Sequence, residues 1–139
     1  MPMEIVSTPP TLKGPAEWFT GDVYLDVIIP QDGRTIARAA SVHFTPGART
    51  AWHKHCHGQT LHVTEGVGLT QVRGGDIVVI RRGDTIWCSP HEWHWHGAAP
   101  DHFMTHLALW QGLDPDHDGP ETTWGDHVTD DEYNLGGTP

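Results

Sequence analysis

Two short segments hold the residues best suited to chemistry. The first runs Gly47, five residues, His53-Lys54-His55, three residues, Gln59, six residues, Gly66. On an extended strand alternate side chains share a face, so His53 and His55 point the same way, and Gln59 returns to that face after a turn at Gly58. The second segment, Gly83 to His94, brings another strand through a turn and ends on an imidazole. Imidazole nitrogen suits zinc, copper, iron and nickel, and an added oxygen donor widens the range toward manganese. Three histidines and one amide oxygen leave coordination positions open, and open positions are where a metal activates a guest.

Two further histidines bear on such a centre. His106 falls on one strand face with Met104, Ala108 and Trp110. It is either a core-edge histidine satisfied by a backbone carbonyl or a general base near the open positions, since an imidazole of pKa about 6.5 suits proton transfer near neutrality. His96 shares the side of His94 by alternation, where it either lines the cavity and orients substrate or supports a ligand from behind. His62 alternates with Leu61 and Val63 and is expected to face solvent. His57 reads as a flanking residue, and Cys56 and Cys88 as reduced packing residues. His43, His91, His102, His117 and His127 have no ligand spacing and read as surface or supporting residues.

These residues need a scaffold of short strands. Pro9-Pro10 and Gly14-Pro15 make residues 1–20 an extended arm ending at Trp18-Phe19, which packs on the body or on a neighbouring subunit. Asp22–Ile29 and Ala37–Phe44 read as strands, the second with Ala40, Val42 and Phe44 inward. Further strands are expected at Gln59–Thr64, Gly68–Arg73, Asp76–Ile80 and Thr85–Cys88, with Phe103–Trp110 the last. The rhythm of strand and glycine turn predicts an all-β fold, a double-sheet jelly-roll barrel over residues 21–111. Residues 112–139 read as loop, then a short helix opened by the capping box Thr129-Asp130-Asp131-Glu132, then a fraying Gly136-Gly137-Thr138-Pro139 tail. Trp52, Trp87, Trp93 and Trp95 surround the two segments, as barrel packing or as an aromatic mouth for a small apolar substrate.

Composition narrows the function. With 139 residues the chain reads as one domain able to bury a core unaided. Its net charge of −10, with 8 scattered Lys and Arg, disfavours nucleic acid. Its 2 cysteines make no disulfide framework, and the N-terminus lacks a basic run or an apolar signal core. A cytoplasmic protein with no membrane or nucleic-acid partner is expected.

The two segments resemble the paired motifs of the cupin superfamily. The first is met at Gly47, His53, His55, Gln59 and Gly66. The second is met at Gly83 and His94 but carries Ser89 for Pro, His91 for Gly and Ala98 for Asn. More narrowly, the chain is similar to small bacterial single-domain cupins that include manganese-dependent hydroxynitrile lyases. That similarity runs through Gly14–Gly21, Pro46–His53, Gly58–Leu61, His94–Pro100, Met104–Ala108 and His127–Asp130. It implies metal ligands His53, His55, Gln59 and His94, with manganese the metal expected and iron, zinc, nickel or cobalt as substitutes. It implies His106 as base; His96, placed by alternation, is the second candidate catalytic residue. Substrate-pocket positions are Ala40, Val42, Thr50 and Trp110, the last bulkier than the family residue expected there.

The resemblance therefore implies cleavage or synthesis of cyanohydrins, with a metal as Lewis acid and His106 moving the hydroxyl proton. A dioxygenase-type cupin oxidising a small aromatic or alkene substrate is the alternative enzyme. A non-catalytic cupin binding a small molecule is the alternative without chemistry. A homodimer or homotetramer is expected, since the arm offers an exchangeable sheet edge.

Overall fold

β-branched and aromatic residues fill the segments between glycine turns, and those segments pair into two antiparallel sheets joined by one long strand. The computed structural model describes residues 3–135, so the expected fraying of the last four residues lies outside it. In chain order the strands are β1 (Leu12–Lys13), β2 (Phe19–Thr20), β3 (Val23–Val27), β4 (Ala37–Phe44), β5 (Arg49–Thr50), β6 (His53–His55), β7 (Gln59–Val72), β8 (Val78–Arg81), β9 (Thr85–Cys88), β10 (His94–Ala98), β11 (Met104–Gln111) and β12 (Thr122–Trp124), followed by helix α1 (Asp130–Asn134). The first sheet runs β1-β3-β4-β11-β7, with β9 on the start of β7. The second runs β7-β10-β5-β2, with β8 on β7 and β6 joining β10 to β12. This is the expected all-β jelly-roll arrangement with a short C-terminal helix.

Strand β7 is the hinge of the architecture. Sequence reading gives two strands here, Gln59–Thr64 and Gly68–Arg73, with residues 65–67 between them. The structure runs through, because a bulge absorbs the break: β11 pairs Thr105 with Glu65 and His106 with Val63, leaving Thr64 without an opposite residue. Gly66 sits at φ +79°, and a Cβ there would strike the Phe103 carbonyl, so glycine is required for this passage. The bulge also exchanges faces. Before it Gln59, Leu61 and Val63 are buried; after it Gly68 abuts Met104, and Thr70 stands opposite His96.

Between the sheets Val23, Phe44, Leu61, Val63 and Met104 form the main core, all essentially inaccessible to water. Burying a side chain of that size contributes about 1.5–3 kcal/mol, so a Leu61→Ala change should cost about 2–5 kcal/mol. A second cluster of Trp52, Leu69, Trp95, Val128 and Tyr133 packs where α1 covers the outside of the second sheet. Thr129 caps α1 in the expected reciprocal box with Glu132. Buried Arg49 then clamps the helix, donating to the Val128 carbonyl and to Asp130 and lying 4.5 Å over the Tyr133 ring.

One expectation needs correction: the stretch between residue 112 and the helix is not all loop, since Thr122–Trp124 forms β12 and pairs Thr122 with His55 and Trp124 with His53. The arm does pack on the body, its β1 and β2 joining the two sheets as short strands. Both segments were masked in sequence by the Pro and Gly residues around them.

Candidate active site and metal centre

The imidazoles are gathered by two strands that meet in register. His94 on β10 pairs directly with His53 on β6, so the two rings lie 4.3 Å apart between centroids. His55, two residues on, keeps the same face with its ring 5.1 Å from that of His53 and 5.6 Å from that of His94. Gly58, at φ +80°, turns the chain so that Gln59 opens β7 with its Oε1 3.4 Å from His94 Nε2. A Cβ at Gly58 would lie 2.6 Å from the Trp87 ring, which leaves no room for another residue at this turn.

His96 enters the same space from β10. Ligand nitrogens of His53, His94 and His96 all lie within 4.8 Å of one another, a buried group able to hold a metal ion. Behind it β11 contributes His106, whose Nε2 is 2.9 Å from His96 Nδ1, while the Phe44 ring closes over both imidazoles. All six side chains are at least 95% removed from solvent.

The outer nitrogens of three rings are already engaged. His53 Nδ1–H donates to the Ala51 carbonyl at 2.9 Å and His94 Nδ1–H to the Glu92 carbonyl at 2.9 Å. His55 Nδ1 lies 3.0 Å from Thr122 Oγ1. Such contacts fix ring orientation and turn Nε2 inward with its lone pair free. His55 Nε2, His96 Nε2 and His106 Nδ1 are buried and find no hydrogen-bond partner among the described residues. Buried polar atoms left unpaired are costly, and an inward lone pair such as that of His55 Nε2 is satisfied by a cation.

Electrostatics keep these rings neutral. Burial, then the neighbouring His94 and His55 rings, holds His53 well below the usual imidazole range. Burial and the His106 ring do the same to His96. Burial brings His55 down to about 4, opposed by the Gln59 side chain, and brings His106 down to about 4 as well. Neutral imidazole is the ligating and proton-accepting form.

The cluster floors a cavity of about 680 Å³. Ala40, Val42, Thr50 and Trp110 all lie on its wall. Of the two readings of the motif tryptophans, packing is the one that Trp52, Trp93 and Trp95 follow. Trp52, Trp93 and Trp95 pack in or against the second cluster, and Trp87 is 61% exposed over Gly58. Instead Trp124 stacks between Trp18, at 5.0 Å, and His53, at 4.7 Å, and Phe19 completes that side. Trp18 belongs to the arm and Trp124 to β12. The triplet Thr122-Thr123-Trp124, β-prone in a polar segment, was the one signal that could have exposed this wall. Trp110 reaches across to donate Nε1–H to Glu121 at 3.4 Å.

The remaining histidines divide. His43, His62, His102 and His127 bond to outlying Asp or Thr side chains. His91, standing where the resembled motif carries glycine, takes the left-handed conformation at φ +63° and donates its N–H to the His55 carbonyl. His117 is exposed, as expected, with its Nε2 3.1 Å from Cys56 Sγ, and the flanking His57 stands with its ring 5.5 Å from that of His117.

Comparison with known proteins agrees with this architecture. Residues 40–109 match the Cupin domain family. The chain is 51% identical over 121 residues to the (R)-mandelonitrile lyase of Granulicella tundricola, covering 87% of this chain and 89% of that one. A cupin-like protein of Thermotoga maritima has a TM-score of 0.83 at 36% identity, covering 96% of this chain and 97% of the other. A polyketide cyclase of Streptomyces resistomycificus shares the fold alone, at 18% identity and a TM-score of 0.69 over 99% of this chain and 94% of its own. The histidine-bearing strands, the jelly-roll sheets and these likenesses together identify the chain as a member of the cupin family.

Proposed function

We propose that this cupin is a metal-dependent hydroxynitrile lyase, a carbon–carbon lyase that splits an aromatic cyanohydrin of the mandelonitrile type into aldehyde and hydrogen cyanide, and joins them in reverse. The observation that carries this reading is the buried His96–His106 pair set beside a cluster of neutral donors at the floor of an apolar cavity. The 51% identity to a protein named (R)-mandelonitrile lyase supports the choice of reaction.

We assign His53, His55, Gln59 and His94 as metal ligands. The pattern of outer contacts supports this: the Nδ1 atoms of His53, His55 and His94 each meet an oxygen, whereas His96 Nδ1 meets His106. His96 is thereby left to the proton path. Bound there, a divalent transition metal, manganese by preference, would supply Lewis acidity toward a hydroxyl or carbonyl oxygen. Because Gln59 offers an amide oxygen and not a carboxylate, the donor set is neutral, which favours anionic guests such as cyanide or an alkoxide.

The chain's own residues then do three things. His106, unprotonated near neutrality, accepts the cyanohydrin hydroxyl proton as the bond between the carbinol and nitrile carbons breaks, and returns it to cyanide. His96 Nδ1, 2.9 Å from His106 Nε2, balances that proton across the pair. Trp110, Trp124 and Val42 exclude water and present apolar faces to an aromatic ring. A homodimer or homotetramer is part of the proposal, formed across the first sheet, where Tyr24 and Leu109 are exposed.

Cyanide release from mandelonitrile is the test. Release that disappears in His106→Ala while bound metal is unchanged supports the lyase. Substrate-dependent oxygen uptake without cyanide would replace it with an oxygenase, and tight binding with neither product would make the protein a non-catalytic binder.

A further inference from the structure

We propose that Cys56, His57 and His117 form a second metal site, distinct from the buried histidine cluster, for a thiophilic divalent cation such as zinc. The three residues come from two segments far apart in sequence: Cys56 and His57 precede the Gly58 turn between β6 and β7, and His117 lies in the 112–121 segment before β12. Cys56 Sγ is 3.1 Å from His117 Nε2, and the His57 and His117 rings are 5.5 Å apart. One donor atom from each residue falls within 4.8 Å of the other two.

A thiol and one imidazole could be explained as a simple hydrogen bond. A hydrogen bond does not account for the second imidazole, whose donor nitrogen converges on the same point as the other two donors. One sulfur and two nitrogens, partly open to solvent, are the donors zinc and related borderline cations select over magnesium or calcium, with a fourth position left for water. The backbone already holds the arms of the site together, since the Cys56 N–H donates to the Glu121 carbonyl at 2.9 Å and the His117 N–H to the Asp114 carbonyl at 3.0 Å.

The position gives the site a consequence. The segment bearing His117 continues into Pro120, Glu121 and Thr122, which line the cavity, and Thr122 holds the His55 ring. A cation bridging Cys56 and His117 pins this segment across the cavity mouth and steadies the support of His55 from outside.

The two centres differ in a way that can be read without activity, since the buried cluster offers nitrogen and oxygen while this site offers sulfur. Metal-stripped protein titrated with cobalt(II) should bind roughly two ions per chain and develop the near-ultraviolet charge-transfer band of a thiolate–cobalt bond. In Cys56→Ser the band should vanish and one equivalent be lost; in His117→Ala, zinc affinity should fall by more than about tenfold. In His53→Ala/His94→Ala the band should persist while the other equivalent disappears. A single equivalent with no band in the parent protein overturns the proposal. So does a band that survives Cys56→Ser, which would trace the sulfur to Cys88. Each variant's fold is checked by circular dichroism, and Cys56→Ala serves if the serine variant does not fold.

Discussion

His106 Nε2 lies 2.9 Å from His96 Nδ1 with both rings buried, so at that contact one ring donates and the other accepts. The pair therefore holds one proton between two rings, and the loss of either should not be equivalent. His106→Ala removes the assigned base and should lower kcat for mandelonitrile cleavage by about 10²–10⁴. His96→Ala should lower it less and shift the pH profile, since His106 then loses its partner. Steady-state cyanide release with parallel metal analysis separates the two, and equal losses with metal also lost would point to a structural role for both.

Gln59 and His94 face one another across 3.4 Å through atoms that both carry lone pairs when His94 Nδ1–H donates to Glu92. Gln59→Glu adds a negative charge to a neutral donor set. It should retain metal more tightly through dialysis against chelator and turn over cyanohydrin more slowly, because the metal's charge is partly cancelled. Unchanged metal retention with equal or faster turnover would contradict this account.

Thr122 reaches His55 from a strand that the sequence conceals. Thr122→Val keeps a β-branched side chain in β12 but removes the hydroxyl at 3.0 Å from His55 Nδ1. Metal affinity should fall about 10–100-fold with the fold intact, as measured by competition with a fluorescent chelator. An affinity equal to the parent's would remove Thr122 from the support of the site.

Burial sets the stability of the metal-free protein against acid. His55 and His106 are held at about 4, below the ordinary 6.5, so between those values the unfolded chain binds more protons than the folded one. Stability is then complete above about 6.5 and falls as pH drops toward 4, by on the order of a few kcal/mol. Urea unfolding of metal-stripped protein at about pH 7.5 and about pH 5 should give a clearly lower midpoint in acid. Identical midpoints would mean that the rings are not buried in the absence of metal.

The periodic and local features of this chain were legible in its sequence. Alternation put His53 and His55 on one side and Ala40, Val42 and Phe44 inward, because a strand's period of two is a property of the backbone itself. The helix cap at Thr129 was legible because its donors and acceptors lie within one turn. Even the outer supports of His53 and His94 are carbonyls two residues back in the chain.

Contacts between segments distant in the chain were not legible. Thr122 supports His55 from 67 residues away, and Cys56 meets His117 across 61. Trp124 reaches His53 only because β12 pairs with β6 in one register. The bulge at Thr64 likewise turned two expected strands into one and exchanged the faces of β7. Which residues can point together is written in local spacing; which of them meet depends on registers fixed by packing across the whole chain, and a shift of one residue would turn Thr122 and Trp124 to the opposite face.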